Sequence, residues 1–138
     1  AVRGAGARLN EITLSTSSHQ HLEGAFLCVG TSIHPKLREA LHKQMPPFLH
    51  AARALRTSGS AALDLAYVAA GRFDAAWYPE LHWWDVAAGI LLIEEAGGRS
   101  TNYGGSPFTG ATSSIIASNS AIHDTILNQL KDGCHGDA

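Results

Sequence analysis

The chain has 138 residues, of which 45% are hydrophobic and 16% are charged, and its formal net charge is −2. This length and composition are typical of one folded soluble domain. The slight negative charge and the lack of a basic cluster argue against nucleic acid or an anionic membrane as a partner. No apolar run approaches the roughly 18 residues that span a bilayer, and the N-terminus lacks a signal-peptide pattern, so we expect no membrane partner.

The cysteines and histidines give no strong sign of a disulfide or a zinc site. Cys28 lies in an apolar, strand-like segment and Cys134 in a glycine-rich tail. This placement favours free thiols and a reducing cytoplasm. His19 and His21 could bind a transition metal, but nothing nearby in sequence completes a set of three or four ligands.

The first half of the chain predicts a hairpin, a buried strand and helical segments. In chain order we expect a glycine-punctuated hairpin over residues 1–14, a strand over 25–29, a helix over 35–44, a short helix over 48–54 and a strand over 54–57. Pro46 and Pro47 separate the two predicted helices, because proline lacks the N–H that a helix interior needs.

The second half alternates helices and strands through short loops. We expect a small-residue helix over about 59–70, a strand over 73–78, a helix from Asp85 that ends at Gly97-Gly98, strands over 99–102 and 114–117, and a helix over 121–130. This alternation predicts an α/β fold with a mixed or largely parallel sheet and helices on both faces.

Three loops follow predicted strands, at the sheet edge where α/β proteins bind ligands. They are Gly30-Thr31, residues 57–61 and residues 78–85. The hydroxyls and free N–H groups of residues 57–61 suit an anion or sugar hydroxyls. Each loop also has an ordinary explanation, because Thr57 or Ser58 fits a helix N-cap and Gly30 fits a turn.

Asp85 stands where a predicted helix begins, after the aromatic pair Trp83-Trp84. A carboxylate at a helix start is stabilised by the free N–H groups and the dipole there, while its oxygens remain available to another cation. Apolar residues at helical spacing behind it, Val86, Ile90 and Ile93, would anchor it. Asp85 therefore fits either a capping residue or a metal ligand.

Four segments resemble the inositol monophosphatase family, in the family's order. Residues 82–98, HWWDVAAGILLIEEAGG, are similar to its C-terminal signature W-D-x-A-A-G-x-x-[IL]-x-x-E-A-G-G. The other matches are residues 55–74, the opening glycine hairpin at residues 3–10, and a last strand and turn at residues 105–108 and 116–119. Glu11 departs from the hairpin pattern, in which glycine is usual.

The family's N-terminal half would carry a glutamate metal ligand and an Asp-Pro-[IL]-Asp-Gly-[ST] loop, and this sequence has neither. Asp132-Gly133-Cys134, in the polar tail, is a poor candidate for that loop. We therefore interpret the chain as the C-terminal half of a phosphatase. Residues 1–14 would end the sheet of the N-terminal domain, and residues 15–138 would form the C-terminal α/β subdomain.

The resemblance implies a phosphomonoesterase that uses two or three magnesium ions. Asp85 would be the metal ligand from this half and would also touch a substrate hydroxyl, with no catalytic residue besides. Ser60 and Ala61 would line the substrate pocket largely through backbone groups, with Thr31 as a further candidate. His82 falls near the family's site, although a packing or interfacial histidine is an equal alternative.

One departure concerns substrate choice. Many inositol phosphatases have a glutamate seven residues before the metal-binding aspartate, where this chain has Tyr78, with Glu80 two residues later. Tyrosine forms hydrogen bonds but brings no charge. Inositol monophosphate or a related sugar or polyol phosphate is the default substrate, with histidinol phosphate, fructose 1,6-bisphosphate and 3′-phosphoadenosine phosphate left open.

The alternative to a phosphatase half is a noncatalytic fragment or interaction module. A homodimer and the missing N-terminal half are the expected protein partners.

Overall fold

The computed structural model describes residues 1–132. In chain order the elements are β1 (Arg8–Leu9), β2 (Ile12–Thr13), β3 (Phe26–Val29), α1 (Pro35–Ala51), β4 (Ala54–Arg56), α2 (Ala61–Ala69), β5 (Ala75–His82), α3 (Trp83–Glu95), β6 (Arg99–Thr101), β7 (Thr112–Ser118) and α4 (His123–Asp132). Within this part of the chain, no helix is long and apolar enough to cross a bilayer. The expectations for Cys134 and the Gly133-Cys134 tail lie outside the described residues.

A five-stranded mixed sheet forms the centre of the molecule, in the order β4-β3-β5-β7-β6. Strands β4, β3 and β5 are parallel, whereas β7 is antiparallel to both β5 and β6. Strands β1 and β2 form a separate antiparallel hairpin. The prediction of an α/β fold with a mixed sheet is confirmed.

Helices cover both faces of this sheet. Along β5, Ala76 and Tyr78 pack in the cluster with α2 and α3, while Ala75 and Trp77 pack in the cluster with α1 and α4. This alternation follows from the two-residue period of a strand. The Trp77 ring lies 4.6 Å from the Phe48 ring between their centroids, which ties α1 to the sheet. Residues 75–78 of the central strand are therefore buried on both faces.

The prediction that Pro46-Pro47 ends the first helix is wrong. Helix α1 continues through both prolines to Ala51, so residues 48–51 belong to it rather than to a second helix. Both prolines are exposed, while Leu41 and Phe48 are buried on the face that meets the sheet. We infer that burial of this face outweighs the backbone hydrogen bonds that two prolines remove.

The boundaries of β5 and α3 also differ from the predicted ones. Strand β5 continues to His82 instead of ending at Tyr78, and α3 begins at Trp83 instead of Asp85. Residues 78–85 are thus the end of a strand and the first turn of a helix, not a loop. The pairing register of β5 with β7 shifts between Tyr78 and Leu81.

Helices α2 and α3 pack closely against each other at Gly89 of α3. A Cβ added at Gly89 of α3 would lie 2.5 Å from Cδ1 of Leu65 on α2. Leu65, Val68 and Ala69 of α2 are fully buried. The absence of a side chain at Gly89 therefore allows α3 to lie close to Leu65 of α2.

Candidate functional site

A pocket of about 320 Å³ lies at the carboxyl ends of β3 and β5. Its walls come from the loop after β3, the start of α1, the end of β5 and the first turn of α3. The lining residues are Thr31, Ser32, Ile33, His34, Glu80, Leu81, His82 and Asp85. Parallel strands bring their carboxyl ends to one edge, where α/β proteins commonly bind ligands. Three sequence candidates, Thr31, His82 and Asp85, are brought together here.

Asp85 lies at the third position of α3 and is partly buried. Its Oδ2 accepts a hydrogen bond from the His82 backbone N–H at 3.0 Å. Its Oδ1 accepts no hydrogen bond from the residues that the structure describes. The capping role expected for Asp85 thus uses one of its two oxygens, and Asp85 also lines the pocket. The fully buried Val86 and Ile93 anchor the helix behind it.

His82 is held from two sides at the junction of β5 and α3. Its Nδ1 lies 2.7 Å from Oγ1 of Thr112 on β7. Its ring stacks on Trp84 with 4.4 Å between centroids and 23° between planes. These contacts fix the imidazole at the pocket wall, where it can exchange one hydrogen bond with a ligand through Nε2.

Glu80 enters the pocket from the end of β5. Its Oε2 lies 3.5 Å from Nε2 of His34, the residue that precedes α1. Both side chains are substantially exposed to solvent. The pair therefore stands at the mouth of the pocket, accessible to a ligand, and Glu80 is a site residue that the sequence analysis did not select.

Ser60 and Ala61 lie at the start of α2 and do not line this pocket. Ser60 caps the helix, since its Oγ accepts a hydrogen bond from the Leu63 backbone N–H at 3.4 Å. The Ser60 backbone N–H donates to Oγ of Ser58 at 3.1 Å, so this amide already has a partner. A serine of this loop is the N-cap of α2, but it is Ser60 and not Thr57 or Ser58, the two residues that the sequence suggested.

Tyr78 lies in the core instead of the pocket. It is 5% exposed, and its hydroxyl donates a hydrogen bond to Oδ2 of Asp64 on α2. Burial, followed by the hydrogen bond and charge of Asp64, raises the pKa of Tyr78 above its ordinary value near 10. The Tyr78 hydroxyl is thus a neutral donor committed to Asp64.

Asp64 is a fully buried carboxylate that joins three elements beneath the sheet edge. Besides Tyr78, it accepts hydrogen bonds from Oγ of Ser58 at 2.6 Å and from Sγ of Cys28 at 3.0 Å. Burial and Asp64 together raise the pKa of the Cys28 thiol to about 12, which keeps it protonated and unreactive. Sequence reasoning missed Asp64, although its spacing from Val68 places it on the buried face of α2.

The donors at this pocket suit a hard cation only in part. Carboxylate and hydroxyl oxygens of Asp85, Glu80 and Thr31 are the type that magnesium prefers. Among residues 1–132, however, no group of three acidic, histidine or cysteine side chains is arranged to hold a metal ion. The chain thus offers Asp85 as one oxygen ligand, and a magnesium site would need ligands from elsewhere.

Sequence and structure comparisons identify relatives of this chain. The inositol-1-monophosphatase of Caulobacter vibrioides is 41% identical over 135 residues, covering 94% of this chain and 52% of that protein. The Nus factor SuhB of Haemophilus influenzae is 38% identical over 132 residues, covering 95% of this chain and 49% of its own length. The inositol monophosphatase structure from Anabaena superposes with a TM-score of 0.85 at 38% identity, covering 94% of this chain and 52% of that one.

The chain thus spans about half the length of the curated relatives that it matches. The model of the inositol monophosphatase family matches residues 1–134, which is nearly the whole sequence. On the match to this model, and on the fold and sequence identity shared with these relatives, the chain belongs to the inositol monophosphatase family.

Proposed function

We propose that this chain is the substrate-binding half of a magnesium-dependent phosphatase that hydrolyses inositol monophosphate or a related sugar or polyol phosphate monoester. The observation that carries the proposal is Asp85, half-buried at the start of α3, with one oxygen capping the helix and the other available at the pocket. A rigid carboxylate with a free oxygen is what a metal ligand requires.

In this proposal, Asp85 holds a metal ion and touches a substrate hydroxyl beside the ester. When bound, the metal ions would activate a water for attack on phosphorus and neutralise charge on the leaving alkoxide. Thr31 and His82 would contact the substrate from two sides of the pocket. Ser60 and Ala61 do not line this pocket, so the proposal assigns them no contact with a substrate that lies in it.

The rest of the site would come from the N-terminal half of a longer parent protein. We propose that the hairpin of residues 1–14 ends the sheet of that domain and that residues 15–138 form the C-terminal subdomain. A cytoplasmic, homodimeric parent is part of the same proposal. The noncatalytic alternative applies to the isolated chain, since its described residues supply no three-ligand metal group.

The test compares the parent protein with residues 1–138 alone. Both are assayed with inositol 1-phosphate, histidinol phosphate, fructose 1,6-bisphosphate and 3′-phosphoadenosine phosphate, with millimolar magnesium and with chelator. We expect magnesium-dependent turnover by the parent and only background hydrolysis by the isolated chain, because positioning and charge stabilisation need both halves. A parent that hydrolyses no phosphate monoester, or hydrolyses them equally with chelator, would refute the proposal.

A further inference from the structure

Glu80 reaches the pocket because of a one-residue bulge in β5. Tyr78 pairs with Ile115 and Leu81 pairs with Ser113, so β5 advances three residues where β7 advances two. The extra residue lies in the segment Pro79-Glu80. A bulge of this kind reverses which face of the sheet the following side chains occupy.

The packing on either side of the bulge shows this reversal. Tyr78 packs in the cluster with α2 and α3, and Leu81, three residues later, packs against the same cluster. In a regular strand, residues three apart face opposite sides. Glu80 and His82, which flank Leu81, therefore point to the other side, where both line the pocket. The bulge directs Glu80 toward the pocket, whereas the Tyr78 hydroxyl donates its hydrogen bond to Asp64.

The charge of the pocket walls suits only some substrates. Glu80 and Asp85 line it, and none of the described lining residues is lysine or arginine. In the proposed function the charge of Asp85 would be matched by a metal ion, so Glu80 is the carboxylate that remains for the far end of the substrate. The Glu80 carboxylate already faces Nε2 of His34 at 3.5 Å, and the other histidine of the lining, His82, lies with its Nδ1 2.7 Å from Oγ1 of Thr112. A second phosphate at this end would meet negative charge without a fixed cation, whereas a hydroxyl or an ammonium group could donate to Glu80.

We infer that Glu80 is a specificity-determining residue that selects substrates with a single phosphate and a neutral or cationic far end, and that excludes bisphosphates. The inference rests on the proposed phosphatase function. It reduces the substrate classes left open by the sequence to polyol or amino-alcohol monophosphates.

The test uses two ligands that differ by one phosphate, fructose 1-phosphate and fructose 1,6-bisphosphate, with the parent protein. We expect the wild type to favour the monophosphate in kcat/KM by about tenfold or more, as repulsion between charges a few ångströms apart implies. Glu80→Gln should reduce this ratio severalfold through KM, and Glu80→Lys should reverse it. Glu39→Gln is the control, since Glu39 is exposed on α1 and pairs with Lys43 outside the pocket.

A second measurement separates this inference from the proposed function. The thermal shift produced by each fructose phosphate is compared between wild type and Glu80→Gln. No turnover, together with a monophosphate preference that Glu80→Gln weakens, would refute the phosphatase proposal but support the role of Glu80. A selectivity that is the same in wild type, Glu80→Gln and Glu80→Lys, in turnover and in thermal shift, would overturn the inference. So would a failure of both ligands to stabilise or react with the wild type.

Discussion

At the scale of single residues, His123 shows how the core depends on one protonation state. It is fully buried, with Nδ1 2.8 Å from Oγ of Ser118 and Nε2 2.9 Å from Oγ1 of Thr101. Burial, with a smaller contribution from the positive charge of Arg99, lowers its pKa from 6.5 to about 4. The neutral ring is therefore the form that joins β6 and β7 to the start of α4.

This pKa predicts a loss of stability in mild acid. Above pH 6.5 the ring is neutral in both folded and unfolded chains, and its contribution is complete. Between pH 6.5 and about 4 the unfolded chain binds the proton first, so the free energy of unfolding falls by roughly 3 kcal/mol in total. Urea unfolding at several pH values measures this fall.

His123→Gln should remove most of that pH dependence, while His42→Gln should leave it unchanged because His42 is exposed on α1. A wild-type free energy of unfolding that stays constant between pH 6.5 and 4 would contradict the assignment.

Tyr78 provides the second residue-scale prediction. Tyr78→Phe removes one of three hydrogen bonds to the buried Asp64 carboxylate, and we expect a loss of about 1–3 kcal/mol in the free energy of unfolding. Tyr78→Glu, which the family pattern suggests as a change of substrate preference, would place a second carboxylate beside Asp64 and should destabilise the protein more. Denaturant unfolding of both variants tests this order; a Tyr78→Glu protein as stable as wild type would contradict it.

At the scale of elements, the prolines of α1 provide a test of why the helix continues. Pro46→Ala restores an N–H that can donate to the carbonyl of residue 42, at an exposed position that does not disturb the buried face. Greater freedom of the unfolded chain offsets part of this gain, so we expect a net stabilisation of about 1 kcal/mol. Pro35→Ala is the control, since Pro35 lies at the helix start where proline is tolerated. A lower melting temperature for Pro46→Ala would contradict this account.

The sequence predicts those elements whose local signals and tertiary packing agree. The strand at residues 26–29 and the helix at residues 61–69 both lie within their predicted ranges. The sequence-based prediction fails at Pro46-Pro47, where burial of Leu41 and Phe48 outweighs a local helix-breaking signal. It also fails at the end of β5, because the bulge depends on pairing with β7, which is distant in sequence.

The candidate site divides in the same way. Thr31, His82 and Asp85 could be brought together from sequence because strand ends and helix starts locate them. The roles of Glu80 and Asp64 could not be assigned from sequence. The direction of the Glu80 side chain depends on the bulge in β5, and the hydrogen-bond partners of Asp64 come from three separate segments.

At the scale of the whole molecule, several large apolar side chains are exposed. Ile12 on the hairpin is 69% exposed, and Ile33 and Trp84 near the pocket are 89% and 74% exposed. The hairpin also pairs with no other strand of the described chain, so its outer edges are open. Open strand edges and large exposed apolar side chains are sites at which a protein can associate with another chain.

The isolated chain should therefore self-associate. We expect light scattering of residues 1–138 to show a mass that rises with concentration, whereas the parent protein should give one defined species. Ile12→Lys should weaken the association, and Lys36→Gln, an exposed change on α1, should not. A monodisperse monomer at all concentrations would contradict the prediction that these exposed side chains cause self-association.

The central claim is that Asp85 is the metal-binding carboxylate of a phosphatase, and it is tested by turnover of inositol 1-phosphate by the parent protein across magnesium concentrations. Asp85→Asn keeps the shape of the side chain but removes its charge, so we predict a kcat at least about a hundredfold lower at every magnesium concentration. Asp124→Asn, an exposed aspartate that pairs with Arg99, should retain wild-type activity. Full activity and an unchanged magnesium dependence in Asp85→Asn would contradict the account.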